Sequence, residues 1–141
     1  MRKVCRRKIW ALVNPIEHAI AGAAVTSGAD LNAIRFRELS AIEAFARGNA
    51  TAQEWADLVA MMNVARTMGG SDPACDAARV ALDDSKARAD ATGRWGMTGP
   101  GLQAMRVLYA NHEAQRTGMA RSAYEEACQK TINRVKNLEA A

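Results

Sequence analysis

Large rings are scarce in this chain: three Trp, two Tyr and two Phe make up 5% of its 141 residues. Alanine is abundant instead, and alanine has the best helix propensity while burying little area per residue. Such a composition predicts many helices packed closely around a few large anchors. Alternating apolar and polar runs of useful length are absent, which excludes a sheet as the organising element. Long apolar runs are missing too. The short stretches 9–13 and 19–25 are interrupted by Asn14-Pro15 and Glu17-His18, so neither a membrane span nor a signal-peptide core is expected. The three cysteines, Cys5, Cys75 and Cys128, are an odd number without paired spacing. They exclude a disulfide framework and fit reduced thiols in a cytoplasm.

Catalytic signatures are equally sparse. His18 and His112 are the only histidines and lie far apart. No Cys/His metal spacing, nucleophile elbow or Gly-Lys-Ser/Thr phosphate loop occurs, so neither a cofactor nor a metal is implied and a non-enzymatic role is expected. Tyr109, His112, Glu113 and Arg116 fall at i, i+3, i+4 and i+7, a spacing able to orient a base or a ligand. A lone histidine on an apolar helical stripe is more ordinarily a core residue.

Against these absences stands one concentrated feature. Residues 1–8 carry Arg2, Lys3, Arg6, Arg7 and Lys8, five of the nineteen basic side chains, and no acid. The formal charge of +4 therefore divides into +5 in this arm and −1 in everything after it. A cationic arm on a near-neutral body suits an anionic surface such as nucleic acid, where it would neutralise phosphates without reading sequence. The plain alternative is a solvated, solubilising start.

Helical punctuation runs through the remainder. An amphipathic segment over residues 3–22 is bent or divided at Pro15, and Thr26-Ser27-Gly28 reads as a break. Asp30 opens a helix stopped by Gly48, with Leu31, Ile34, Ala41, Ile42 and Phe45 on its stripe. Thr51-Ala52-Gln53-Glu54 is a capping box, and the helix it starts reaches Gly69-Gly70. Trp55, Leu58, Val59 and Met62 make that helix the best amphipathic pattern in the chain. Ser71-Asp72-Pro73 supplies a cap and an early proline for a helix to about residue 91, whose face of Cys75, Ala78, Ala81, Ser85 and Ala89 carries one large residue, Leu82. That small face must pack closely, and it is equally a place for a homo-oligomer contact. Residues 92–101 hold four of the ten glycines and form the loop. A helix from about Pro100 to Gln115 turns Leu102, Met105, Leu108, Tyr109 and His112 inward. After Arg116-Thr117-Gly118, a second capping box, Ser122 to Glu125, opens a last helix with Tyr124, Cys128, Thr131, Val135 and Leu138 on one face.

This last pair has the layout of a helix-turn-helix over residues 112–135, with Gly118 in the turn and Ala114 where close helix approach needs a small residue. Two apolar positions of the pattern fail, Glu113 and Thr117. The second helix offers Arg121, Lys130, Asn133 and Arg134 for phosphate or base-edge contact. Glu125 and Glu126 at its start oppose that role.

Three stretches carry a family resemblance: Asn14-Pro15-Ile16 with residues 19–24, the run 37–43 (Arg37 to Glu43), and Thr98-Gly99-Pro100-Gly101-Leu102-Gln103-Ala104. They resemble small helical proteins of bacterial prophages and other mobile elements, some labelled as Fis-like regulators. The resemblance implies a bacterial or phage setting and brings no active site.

Several residues sit against the pattern. Glu38 lies on the stripe of its helix three residues after Arg35, and Arg66 follows Met62 on the face of Trp55. These charges are expected to pair where the two helices meet, or to reach the rim. Phe36 lies off its stripe, so it meets a further helix or an outside partner. Trp95 and Met97, beside Arg94 on the glycine-rich loop, either anchor a partner or fold back into the core. The sequence thus predicts an all-α single domain of five to six helices over residues 1–141, with a basic arm at 1–8. Its leading function is regulatory nucleic-acid binding through the arm and the last helix pair. The rival is a protein-binding module, such as a phage-encoded inhibitor or adaptor of a host complex.

Overall fold

A computed structural model describes residues 28–117 and 119–140. The basic arm and the predicted helix over residues 3–22 lie outside these described residues. Among the described residues there are five helices and no strand: α1 (Gly28–Arg47), α2 (Ala52–Met68), α3 (Asp72–Thr92), α4 (Gly99–Thr117) and α5 (Arg121–Ala140). The chain is an all-α domain, as its composition predicts.

Local chemistry starts and stops these helices. At the end of α1, Gly48 adopts φ 77°, which an L side chain resists. Its N–H reaches the Phe45 carbonyl at 3.2 Å and Asn49 N–H reaches Ala44 at 3.0 Å, the double bond of a Schellman stop. The capping box of α2 is complete: Gln53 N–H donates to Thr51 Oγ1 at 3.2 Å, and Thr51 N–H to Glu54 Oε2 at 2.8 Å. Gly93 closes α3 in the left-handed region. Two predicted caps are placed differently. Ser71 occupies the N-cap of α3, but its hydroxyl makes no capping bond and instead accepts from Gln115 Nε2 at 3.0 Å. The last helix begins at Arg121, so Ser122 lies inside its first turn and does not cap it.

The middle of the fold is α2. Contacts with α1, α3, α4 and α5 surround it, and Trp55 to Met62 are buried without interruption. The predicted stripe is therefore only one side of a helix enclosed on nearly all sides, with Ala56, Ala60, Met61, Val64 and Ala65 filling the others. A helix apolar all round needs such a coat of neighbours. One cluster joins α2 to α1, α3 and α4 through Ile42, Phe45, Leu58, Leu82, Met105 and Leu108. A second joins it to α1 and α5 through Ile34, Val64, Tyr124, Cys128 and Val135. Leu138, expected on the inner face of α5, is 70% exposed.

The small-residue face of α3 is used within the chain, where Ala78 and Cys75 are fully buried, rather than left for a second copy. Its neighbour α4 comes close because Gly101 is buried at the contact. A Cβ there would stand 2.7 Å from Met97 Cγ and 3.3 Å from Ala81 Cβ. Trp95 folds back onto this layer, its ring 5.5 Å from that of Trp55, whose indole N–H donates to the Leu82 carbonyl at 3.0 Å. Two of the few rings thus meet here at a tilt of 38°, and aliphatic side chains such as Leu58, Leu82, Met105 and Leu108 fill the layer around them.

Gly101→Ala should accordingly destabilise the fold by about 1–3 kcal/mol through overpacking. Gly96→Ala, whose Cβ would meet nothing nearer than Arg88 at 3.7 Å, should stay within about 0.5 kcal/mol. Urea unfolding of the two variants tests the difference, and equal midpoints would refute the close-approach account.

Candidate functional site

Four charged side chains form an alternating chain between α1 and α4. Arg116 sits in it with its side chain fully enclosed, 0% exposed. Its guanidinium grips Glu38 of α1 with two bonds, Nη2 to Oε1 at 2.5 Å and Nη1 to Oε2 at 3.2 Å. Its Nε reaches Glu113 Oε1 at 3.3 Å, and Arg35 Nε reaches the same oxygen at 2.8 Å. Tyr109 donates its hydroxyl to Glu113 Oε2 at 3.1 Å and lies with its ring 5.7 Å below the Arg116 guanidinium. Two cations and two anions give a locally neutral set, and the fork-shaped guanidinium matches the Glu38 carboxylate as a planar pair.

The sequence expectation for these charges is corrected here. Glu38 pairs with Arg116 of α4 and not with Arg66 of α2. Arg66 instead meets Asp76 of α3 at 2.9 Å near the surface. Arg116, expected in a turn, occupies the last turn of α4. The stripe Met105, Leu108, His112 continues to it at i+4, so its inward position was legible in the spacing. The mismatch of Glu113 with the helix-turn-helix pattern was a second trace of the same network.

Burial acts strongly on these groups. It raises the Glu38 carboxyl above its usual range, opposed only by the hydrogen bonds and charge of Arg116, so the carboxylate depends on its partner. Burial also works against the charge of Arg116, but Glu38 outweighs it and holds the proton more firmly than usual. For Glu113, burial is outweighed by Arg116, Arg35 and Tyr109, which keep the carboxyl below the ordinary range.

His112 lies nearby and is 0% exposed. Its Nδ1 is paired with Gln115 Oε1 at 2.9 Å, which makes Nδ1 the protonated nitrogen, and its Nε2 has no partner. Burial, with the Arg116 charge second, lowers its pKa to about 4. Gln115 turns its amide nitrogen to the Gly69 carbonyl at 2.5 Å as well as to Ser71, and so straps α4 to the turn between α2 and α3. His112 is a neutral core group, as a lone histidine on an apolar stripe ordinarily is.

Beside the network the α1–α4 surface opens. A groove of about 640 Å³ runs along α1 past Phe36, Leu39, Glu43 and Arg47, with Arg106 and Tyr109 of α4 on its other side. Phe36 is 74% and Leu39 48% exposed. Tyr109 belongs to both places: its hydroxyl serves Glu113 and its body lines the groove.

Of the residues expected to bind nucleic acid, the structure describes the side chains of Lys130, Asn133 and Arg134, and these do not share one face. Arg2, Lys3, Arg6, Arg7 and Lys8 lie outside the described residues, and Arg121 begins α5. Lys130 and Asn133 are exposed on α5, beside Glu126 at 3.6 Å and Gln129 at 3.2 Å respectively. Arg134 turns inward and donates to the Asn63 carbonyl of α2 at 3.1 Å. Ala114 is exposed, so the close helix approach of a helix-turn-helix is not made there, and α5 lies against α2 instead. Of the loop residues, Arg94 is exposed, while Trp95 and Met97 pack against the core. Cys75 and Cys128 are free thiols, both buried, and burial raises Cys128 to about 11. Among the described residues no His/Cys/Asp/Glu group of metal-binding size occurs, and no helix is long and apolar enough to cross a membrane.

No protein-family model matches the chain, and neither a curated protein nor a solved structure is detectably similar to it.

Removing Arg116 leaves the buried Glu38 without the partner that offsets its desolvation. Arg116→Met should cost about 3–5 kcal/mol, and the double change Glu38→Met with Arg116→Met should recover most of it. Urea unfolding of the three chains measures this; a double variant no better than the single one would overturn the pairing account. The folded pKa of His112 lies below its unfolded value, so its contribution to stability is full above pH 6.5 and fades as pH falls through about 4. The two ends of that window differ by about 3 kcal/mol. Its ring resonances should stay at their neutral positions down to about pH 5 in an NMR titration, and a midpoint near 6.5 would contradict its burial.

Proposed function

We propose that this chain is a non-enzymatic protein-binding module whose partner seats in the groove between α1 and α4. The observation that carries the reading is Phe36, 74% exposed on the wall of that groove with Leu39 beside it. Isolated exposed apolar residues are ordinary, whereas a Phe and a Leu together on an open concave surface mark an interaction site. Among the described residues, His112 and Glu113, the pair spaced for acid–base chemistry, are engaged elsewhere. His112 has no access to a substrate, and Glu113 already accepts from two arginines and a tyrosine. The resemblance to proteins of prophages and mobile elements suits an adaptor or inhibitor that occupies a host complex.

A second reading, nucleic-acid binding, is favoured by the exposed polar face of α5, where Gln129, Lys130 and Asn133 lie together, in concert with the basic arm. It differs from the sequence expectation in that Arg134 is not part of the contact. In a mobility-shift titration it requires binding that weakens steeply with salt and a shallower salt slope once residues 2–8 are removed.

A photo-crosslinking phenylalanine analogue placed at position 36 in the producing cell should capture one discrete partner. The same group at Val80, 62% exposed on α3, should not. Equal and diffuse capture at both positions would sink the protein-binding reading.

A further inference from the structure

The groove also has a length, a shape and a charge, and together these describe its occupant. From Phe36 to Arg47 the wall runs eleven residues along α1, about 16 Å at helical rise, or three turns. Both walls are helices, so the space between them offers no strand edge to an extended peptide. A third helix laid along such a space sets anchors at i, i+3 or i+4, and i+7 against apolar wall residues. Phe36, Leu39 and Tyr109 supply those walls.

The charge is one-sided. Glu43 is the acid of the lining, and Arg47 already holds it, Nε to Oε1 at 2.9 Å. Arg106 projects from α4 on the other side, exposed, and has no partner among the described residues. Among the described residues, one guanidinium at the rim is therefore left unmatched. We infer that the groove takes an amphipathic helix carrying carboxylates beside its apolar anchors, one of them placed to meet Arg106. The inference rests on the protein-binding reading above and adds the chemistry of the partner. Apolar anchors give the affinity, and the rim arginine gives orientation and discrimination between partners.

The test uses the full chain and two fluorescein-labelled synthetic peptides of sixteen residues. Both carry leucines at i, i+3 and i+7; one carries flanking glutamates and its twin lysines at the same positions. Because the basic arm attracts glutamates by itself, the informative quantity is how the preference changes with the rim. Arg106→Glu should reduce the preference for the glutamate peptide by roughly three- to tenfold in fluorescence anisotropy. Arg94→Glu, an equal charge change on the exposed loop, should leave it unaltered. Phe36→Ala should weaken both peptides by roughly tenfold or more, with the circular dichroism spectrum unchanged. A preference equally indifferent to Arg106→Glu and Arg94→Glu, with Phe36→Ala still damaging, overturns the acidic-helix inference while the groove reading stands. Binding of neither peptide overturns the inference, and the crosslink at position 36 then decides the groove reading separately. Concentration-dependent self-association abolished by Phe36→Ala assigns the groove to a second copy of the chain and likewise overturns the inference.

Discussion

Arg116 is charged, and water does not reach it. A guanidinium in that position is tolerable only if its geometry with a carboxylate is close to ideal and the carboxylate's other needs are met. Glu38 meets the first condition with two bonds. Glu113 extends the chain of charges to half-exposed Arg35, so the set is neutral and one end of it touches solvent. The consequence is positional. Glu38 must face α4, which turns the Ile34, Ala41, Ile42 and Phe45 stripe inward and leaves Phe36 and Leu39 on the outer side of α1. Tyr109, held by Glu113, then stands opposite them. The groove is the outer edge of the same arrangement that buries the ion pair.

The second constraint is the identity of α2. A helix enclosed by four others cannot carry a polar face, and its few polar atoms are matched within the helix or by α5: Asp57 accepts from Gln53, and the Asn63 carbonyl accepts from Thr67 and from Arg134 of α5. Because the rings are few, the helices around α2 combine aliphatic side chains with close approaches between small residues. Gly101, Ala78 and Ala81 do this on one side. On the other, Thr131 satisfies its buried hydroxyl by bonding Ala127 and Thr67. Arg134 is drawn into this side too, and burial lowers its proton affinity below that of an ordinary arginine. A side chain with the right type for phosphate contact is thereby committed to α2.

Local signals were read with little loss. The Thr51–Glu54 box, the glycine stops at 48 and 69 and the early Pro73 act within one turn of chain, so they are visible wherever the turn is packed. The Ser71 cap was lost to a distant group, Gln115 of α4, whereas Asp30 and Ser122 simply lie inside helices that begin at Gly28 and Arg121. The helix-turn-helix pattern failed for a related reason. It is a statement about how two helices cross, and α5 found more apolar surface on α2 than on its neighbour in sequence. The groove was half legible, since the angular position of Phe36 already set it apart from the stripe, while the opposite wall lies about seventy residues further along the chain.

The sequence by itself determined the class of object: helices, their ends, a core of small residues with a few rings, and a charge gathered into residues 1–8. Each follows from composition or from interactions spanning four residues or fewer. Only the tertiary structure decided which charges are buried and against what, because the Glu38–Arg116 pair joins positions 78 residues apart and its stability depends on excluding water. Which aromatic stays outside was decided in the same way. Trp95 packs against Trp55 and is partly buried, whereas Phe36 sits on the side of α1 that the ion pair turns outward.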